Sequence, residues 1–239
     1  MSDFANVLQT IARMSDAERR ELFLHLQRSG EFSYPTDTVE EPRPVYGGAL
    51  KYMTREEFFE FQEQSAITYE YVNGILRAMS GPTLAHSVVT RNIFRIVDAR
   101  LRGGPCQAVW GVQLKLTLGE DEIVYEPDLY VSCDRSAWDE KWIANPKFVL
   151  EVSSPSTQRI DRCEKLVNYR RAATVEEYVI ASQKRAELEI YRRADGWRQE
   201  IVKGIGAIAE FRSLDVAAPL KEIYDSVPFR SSMRETQDS

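Results

Sequence analysis

At 239 residues, 43% hydrophobic and 28% charged, the chain is long enough to bury a sizeable core and has the composition of a soluble globular protein. No apolar run approaches the twenty or so residues of a membrane-spanning helix, and Met1-Ser2-Asp3-Phe4 begins neither a basic nor an apolar leader, so membrane insertion and secretion are not expected. A net charge of −6 argues against tight nonspecific nucleic-acid binding, and three widely spaced cysteines (Cys106, Cys133, Cys163) read as free thiols in a reducing cytoplasm.

Residues 1–30 predict two short helices. Phe4, Val7, Leu8 and Ile11 share a helical stripe, and Ser15-Asp16-Ala17-Glu18 has the form of a capping box. Prolines 35, 42 and 44 and the pair Gly47-Gly48 mark 31–47 as a linker, so 1–47 is taken as an appendage packing on the core or on a second subunit. The main domain is expected over 48–225. Thr54-Arg55-Glu56-Glu57 is a further capping box, opening a helix to about Gln64. Alternation from Tyr69 to Met79 around Asn73-Gly74 predicts a hairpin. Val88, Val89, Ile93, Ile96, Val97 and Leu101 keep a helical period that stops at Gly103-Gly104-Pro105.

Strands are expected at 107–118 and 123–132, separated by an acidic turn at 119–122. Phe148-Val149-Leu150 lacks polar alternation, as a strand buried on both faces does. A helix from about Arg159 to Ala172, a strand at Tyr178-Val179-Ile180 and a hairpin at Ala194-Asp195-Gly196 follow, with Leu188 and Ile190 on one face. Residues 226–239 read as a frayed polar tail. The order of elements predicts an α/β domain with a mixed sheet.

Chemistry concentrates in two acids. Asp128 follows a proline at the head of Leu129-Tyr130-Val131, and Glu151 closes Phe148-Val149-Leu150. Carboxylates side by side at the ends of adjacent buried strands suit a hard cation such as Mg²⁺ or Mn²⁺, and a lysine soon after, Lys165, suits charge developing on a phosphate. That combination is a candidate metal-dependent nuclease. The plain alternative is that each acid caps a loop or meets an arginine. Asp161, Lys165 and Tyr169 recur at helical spacing opposite Cys163, Leu166 and Val167. Their plain reading is an exposed stripe with a weak Asp161–Lys165 pair. His86 reads either as a polar group near a scissile phosphate or as a solvated helix residue. Two histidines and no Cys/His spacing exclude a zinc site of the usual kind, and no phosphate-binding glycine loop or nucleophile elbow occurs. Residues 155–203 carry eleven Lys/Arg against eight Asp/Glu, which leaves room for a basic face.

Tyr69-Glu70 with Gly74, then Pro82 and His86, Pro127-Asp128, the block Glu151-Val152-Ser153-Ser154-Pro155-Ser156-Thr157, and Asp161, Lys165 and Tyr169 come in an order that resembles the Uma-two family of restriction endonuclease-like proteins, over about residues 52–193. The resemblance implies the PD-(D/E)XK nuclease fold, a central mixed sheet flanked by helices. It implies Asp128 and Glu151 as metal ligands, Glu70 as a further acid of the site, and a nucleic-acid substrate, DNA first, held weakly. The superfamily's lysine position, two residues after the second acid, is Ser153 here, so the resemblance shifts that role to Lys165. Two departures are Glu176-Glu177-Tyr178, where the family often has Pro-Glu-Tyr, and Ala181-Ser182, where an Asp often follows. A catalytically silent interaction or scaffold module with the same fold, open to homo-oligomerisation, is the competing expectation.

Overall fold

The computed structural model describes residues 53–154 and 157–229. The helices and linker expected within 1–47, and residues 230–239 of the expected tail, lie outside the described residues. Helix α1 (Arg55–Gln64) opens on the expected capping box, with Thr54 Oγ1 accepting from the Glu57 amide and Glu57 accepting from the Thr54 amide. Strands β1 (Tyr69–Val72) and β2 (Ile75–Ala78) form the expected hairpin. Its turn holds Asn73 and Gly74 at φ of 49° and 91°, a left-handed pair that asparagine and glycine tolerate. Helix α2 (Leu84–Leu101) starts where Thr83 accepts from the His86 amide and buries Val88, Val89, Ile93 and Val97.

Each long strand-like run that follows breaks in two. The first gives β3 (Gln107–Val109) and β4 (Gln113–Leu118), the second β5 (Asp121–Tyr125) and β6 (Leu129–Ser132). Gly111, at φ 65°, turns the chain inside the first run, and Glu126-Pro127-Asp128 interrupts the second. The breaks carry the chain between two sheets. Asp121 and Glu122 belong to β5, not to the turn, which shrinks to Gly119-Glu120. After β7 (Trp142–Ile143) comes β8 (Pro146–Ser153). Helix α3 then runs unbroken through Gln158–Ile160, a π-helical turn at Asp161–Lys165, and Leu166–Arg171. Strands β9 (Glu177–Ser182), β10 (Glu187–Arg192), β11 (Gln199–Lys203), β12 (Ile208–Phe211) and β13 (Val216–Pro219) and helix α4 (Leu220–Ile223) complete it. Val227 still packs on the core beyond α4.

The class is mixed α/β. In place of one central sheet there are two and a ribbon, in the orders β2-β1-β5-β4-β7, β11-β10-β9-β8-β6-β3 and β12-β13. Pairing is antiparallel except for β8–β9 and β4–β7. Phe148, Leu150 and Val152 of β8 face a core built with α2, β12, β13 and α4. Val149, on the opposite face, shares a core with Tyr169 of α3, Ala172 just beyond it, and the five-stranded sheet's Leu114, Leu116, Ile123 and Tyr125. Strand alternation therefore puts Glu151 on the α3 side.

The expectation of three free thiols is overturned for two of them. Gln107 pairs with Ser132 across β3–β6, which brings Cys106 opposite Cys133, and the two form a disulfide. Strand pairing, invisible at a separation of 27 residues, makes the pair. Cys163 is free and exposed. Among the described residues no helix is long and apolar enough to cross a membrane.

Candidate active site

Backbone register brings the two acids together. Leu129 pairs with Leu150 across antiparallel β6–β8, so Asp128 and Glu151, one residue out on each strand, stand side by side. Asp128 is fixed at both oxygens: the Val152 amide donates to Oδ2 at 2.6 Å and His86 Nε2 lies 2.7 Å from Oδ1. Thr83, by starting α2 where it does, sets the helix position that delivers His86.

Glu151 is buried. Its Oε1 accepts from Lys165 Nζ at 2.9 Å and from the Tyr169 hydroxyl at 3.1 Å. Lys165 Nζ also meets Glu70 Oε1 at 2.7 Å, so one buried ammonium bridges the carboxylates of β1 and β8. The stripe Asp161, Lys165 and Tyr169 therefore faces inward, and Val167, expected opposite it as an apolar face, is 52% exposed. The plain reading of an exposed polar stripe is reversed, because Lys165 and Tyr169 find partners on β1 and β8, while the Asp161 carboxyl is buried beside Lys165 with its Oδ2 unpartnered among the described residues. Tyr178 on β9 donates to the Asp161 carbonyl at 3.1 Å. The π-helical turn spans Asp161–Lys165, and such turns recur at functional sites.

Burial pushes the Glu151 carboxyl well above the usual carboxylate range; Lys165 opposes this, while Asp128, Asp161 and Glu70 add to it. Burial alone would strip the Lys165 proton, but the surrounding Glu151, Glu70 and Asp161 outweigh it and hold the ammonium charged. Burial also raises Asp161, against Lys165. The site thus carries more carboxylate than cation, an imbalance that a proton or a metal ion relieves.

Sequence reasoning missed four participants. Arg77 NH1 reaches Glu70 at 3.3 Å, and its NH2 reaches Glu164 at 2.8 Å. Tyr125 donates to Glu164 at 2.9 Å. Glu126 is pushed up by burial, with Glu70 and Asp128 adding to the shift. Arg77 was findable, since the Asn73-Gly74 turn fixes Glu70 opposite Arg77. Glu164 and Tyr125 needed the packing of α3 on the five-stranded sheet. In Glu176-Glu177-Tyr178, where Glu176 stands in place of the family's proline, the matching Glu177 is structural: it is buried, accepting from Arg192 Nε at 2.9 Å and from the Ser213 amide and hydroxyl.

Residues 55–215, more than half of the chain, match the Uma2 family, described as "Putative restriction endonuclease". The chain belongs to the Uma2 family. Two proteins of Synechocystis sp. are similar: uncharacterized protein slr1290, 29% identical over 144 residues (60% of this chain and 75% of that protein), and uncharacterized protein sll1609, 23% identical over 171 residues (70% and 96%). The fold is also that of a crystal structure from Anabaena variabilis, described as "a putative nuclease belonging to DUF820". The TM-score is 0.58 at 17% identity, covering 71% of this chain and 96% of that one. At that identity the likeness speaks for the fold alone. The family expected from the motifs holds, and so does the mixed α/β class, with two sheets and a ribbon where one central sheet was expected.

Among the described residues no three His, Cys, Asp or Glu side chains converge to hold a metal by themselves. The donor set nevertheless suits Mg²⁺, which keeps several waters and takes one or two carboxylates together with substrate phosphate. Asp128 and Glu151 supply two adjacent carboxylates.

Proposed function

We propose that this protein is a Mg²⁺- or Mn²⁺-dependent endonuclease that hydrolyses phosphodiester bonds of nucleic acid, with DNA the first substrate to test. The observation that carries the reading is the buried Lys165 ammonium held between Glu151 and Glu70 beside Asp128. Asp128 and Glu151 would hold the ion, which would neutralise the phosphate and lower the cost of activating water.

Every other role belongs to the chain. His86 and the Val152 amide hold Asp128 in one orientation, and Tyr169 does the same for Glu151. With Glu151 shared with an ion, Glu70 would still hold Lys165 at the site, and the ammonium would meet the charge that builds on the phosphate oxygens. A water oxygen forms the new bond to phosphorus, the bond to the leaving sugar oxygen breaks, the water's proton passes to solvent, and solvent returns one to the leaving oxygen. Asp161 supports the Lys165 charge from behind. Weak, transient substrate binding fits the net charge of −6.

The test is cleavage of supercoiled plasmid and of single-stranded DNA and RNA in Mg²⁺ and Mn²⁺ by wild type, Asp128→Ala, Glu151→Ala and Lys165→Ala. Cation-dependent nicking by wild type alone supports the proposal. Equal cleavage by all four proteins, or none by folded wild type on any substrate, refutes it.

A further inference from the structure

We infer that a cavity beside Asp128 seats the base of the nucleotide next to the scissile phosphate. Gln113 and Glu126 in its wall favour a base carrying an exocyclic amino group over thymine or uracil. The inference rests on the nuclease reading above and names the specificity of that same site.

Position comes first. The cavity, of about 260 Å³, lies between α1, the turn at Gly111 that leads into β4, and the Glu126-Pro127-Asp128 break. Glu126 in its wall stands two residues before Asp128, a chain distance of roughly 7 Å. The charges of Glu70 and Asp128 both bear on the Glu126 carboxyl. Gln113, the first residue of β4, donates to the Tyr69 carbonyl at 3.4 Å, next to Glu70. The cavity therefore adjoins the carboxylate site, within reach of a base hung from the sugar beside the scissile phosphate.

Size and charge restrict the occupant. Pockets for drug-sized ligands run to about 300–1,000 Å³, so this one suits a single heterocycle. Glu63, Glu126 and Glu140 line it against Lys141 alone, and Lys141 is paired with Glu63. An anion is repelled there, which favours the uncharged base over the phosphate that carries it. Phe59 adds a ring to the lining on which a base can stack.

Hydrogen bonding then selects among bases. Gln113 is 8% exposed, and with its amide nitrogen turned to Tyr69 its side-chain oxygen meets no donor among the described residues. The half-buried Glu126 carboxylate likewise has no donor among them. A buried acceptor without a donor is costly, and a ligand that brings donors recovers that cost. Adenine, cytosine and guanine each present an amino group. Thymine and uracil present one N–H between two carbonyls, which would face these acceptors.

The experiment is fluorescence anisotropy with labelled 15-mers of deoxythymidine, unbroken or carrying one central deoxycytidine, deoxyadenosine or deoxyguanosine. Ca²⁺ replaces Mg²⁺ so that binding is read without turnover. Wild type, Gln113→Leu and Glu126→Leu are compared, with thermal melts confirming the fold. Wild type is expected to bind at least one amino-bearing oligomer about 5- to 100-fold tighter than unbroken deoxythymidine. Each variant is expected to bring that ratio to within about twofold, a loss of discrimination that a purely structural role would not produce.

Equal affinity of wild type for all four oligomers, a preference undiminished in both variants, or no oligomer binding by wild type would each overturn the pocket. If Gln113→Leu does not fold, Glu126→Leu and the wild-type preference decide. Failure of the two readings is separable: wild type that cleaves but binds all four oligomers alike removes the pocket alone. Wild type whose preference depends on Gln113 and Glu126 but which never cleaves removes the nuclease alone.

Discussion

Replacing Lys165 by methionine takes the buried ammonium from between Glu151 and Glu70, leaving Glu151 without a cation and Glu70 with Arg77 at 3.3 Å. The side chains are similar in length, so the change is chiefly one of charge. Removing one partner of a buried ion pair costs about 3–5 kcal/mol when the other stays charged. Here the remaining carboxylate has an escape, because it can take up a proton. Glu151 is already raised by burial, and Lys165 is the group that holds it down, so its folded value rises further in the variant. A group whose folded value is raised contributes stability that is full below its unfolded value, near 4.5, and lost as pH rises through the folded value. Wild type, with Glu151 already raised, loses stability with rising pH too, so the two proteins run together up to the wild-type folded value and the variant falls behind above it, by up to about 1.4 kcal/mol per pH unit for each proton. The full deficit should be about 3–5 kcal/mol. Urea denaturation of both proteins from pH 5 to 8 measures it. A deficit under about 1 kcal/mol at pH 8, or one that does not change with pH, would refute the reasoning, since Lys165 would then not be compensating buried carboxylates.

Tyr169→Phe removes one donor to the buried Glu151 oxygen and should cost about 1.5–3 kcal/mol in chemical denaturation, with cleavage falling as Glu151 loses its orientation. Reductant should lower stability by about 3 kcal/mol through loss of the Cys106–Cys133 link. Thiol titration should find one reactive cysteine before reduction in native protein, and all three under reducing, denaturing conditions. His86→Ala frees one oxygen of Asp128 and should lower kcat by about tenfold or more with little change in melting temperature, as steady-state cleavage and a thermal melt will report.

What was legible in the chain was what local patterning controls. The Thr54 capping box, the Asn73-Gly74 turn and the uninterrupted run before Glu151 each encode their geometry within a few residues, and all three form as expected. The candidate site was legible because its members sit at strand ends and on one helical stripe: Glu70, Asp128, Glu151 and Lys165 gather, and His86, Asp161 and Tyr169 close around them. Which face of α3 is buried was not, since its polar stripe gains its partners from β1 and β8, distant in sequence. The same holds for Glu164, whose partners Arg77 and Tyr125 lie on β2 and β5. The breaks at Gly111 and Glu126-Pro127-Asp128 were visible as residues, but their consequence, a chain passing between two sheets, depends on pairings that no short window contains.

The claim that Asp128 and Glu151 jointly hold a divalent cation is tested most directly by counting Mn²⁺ bound per chain, by electron paramagnetic resonance, with a phosphorothioate oligonucleotide present to complete the site. Wild type should bind at least one ion with an affinity that both Asp128→Ala and Glu151→Ala abolish while remaining folded. Equal Mn²⁺ binding by all three proteins, or none by folded wild type, would contradict the account.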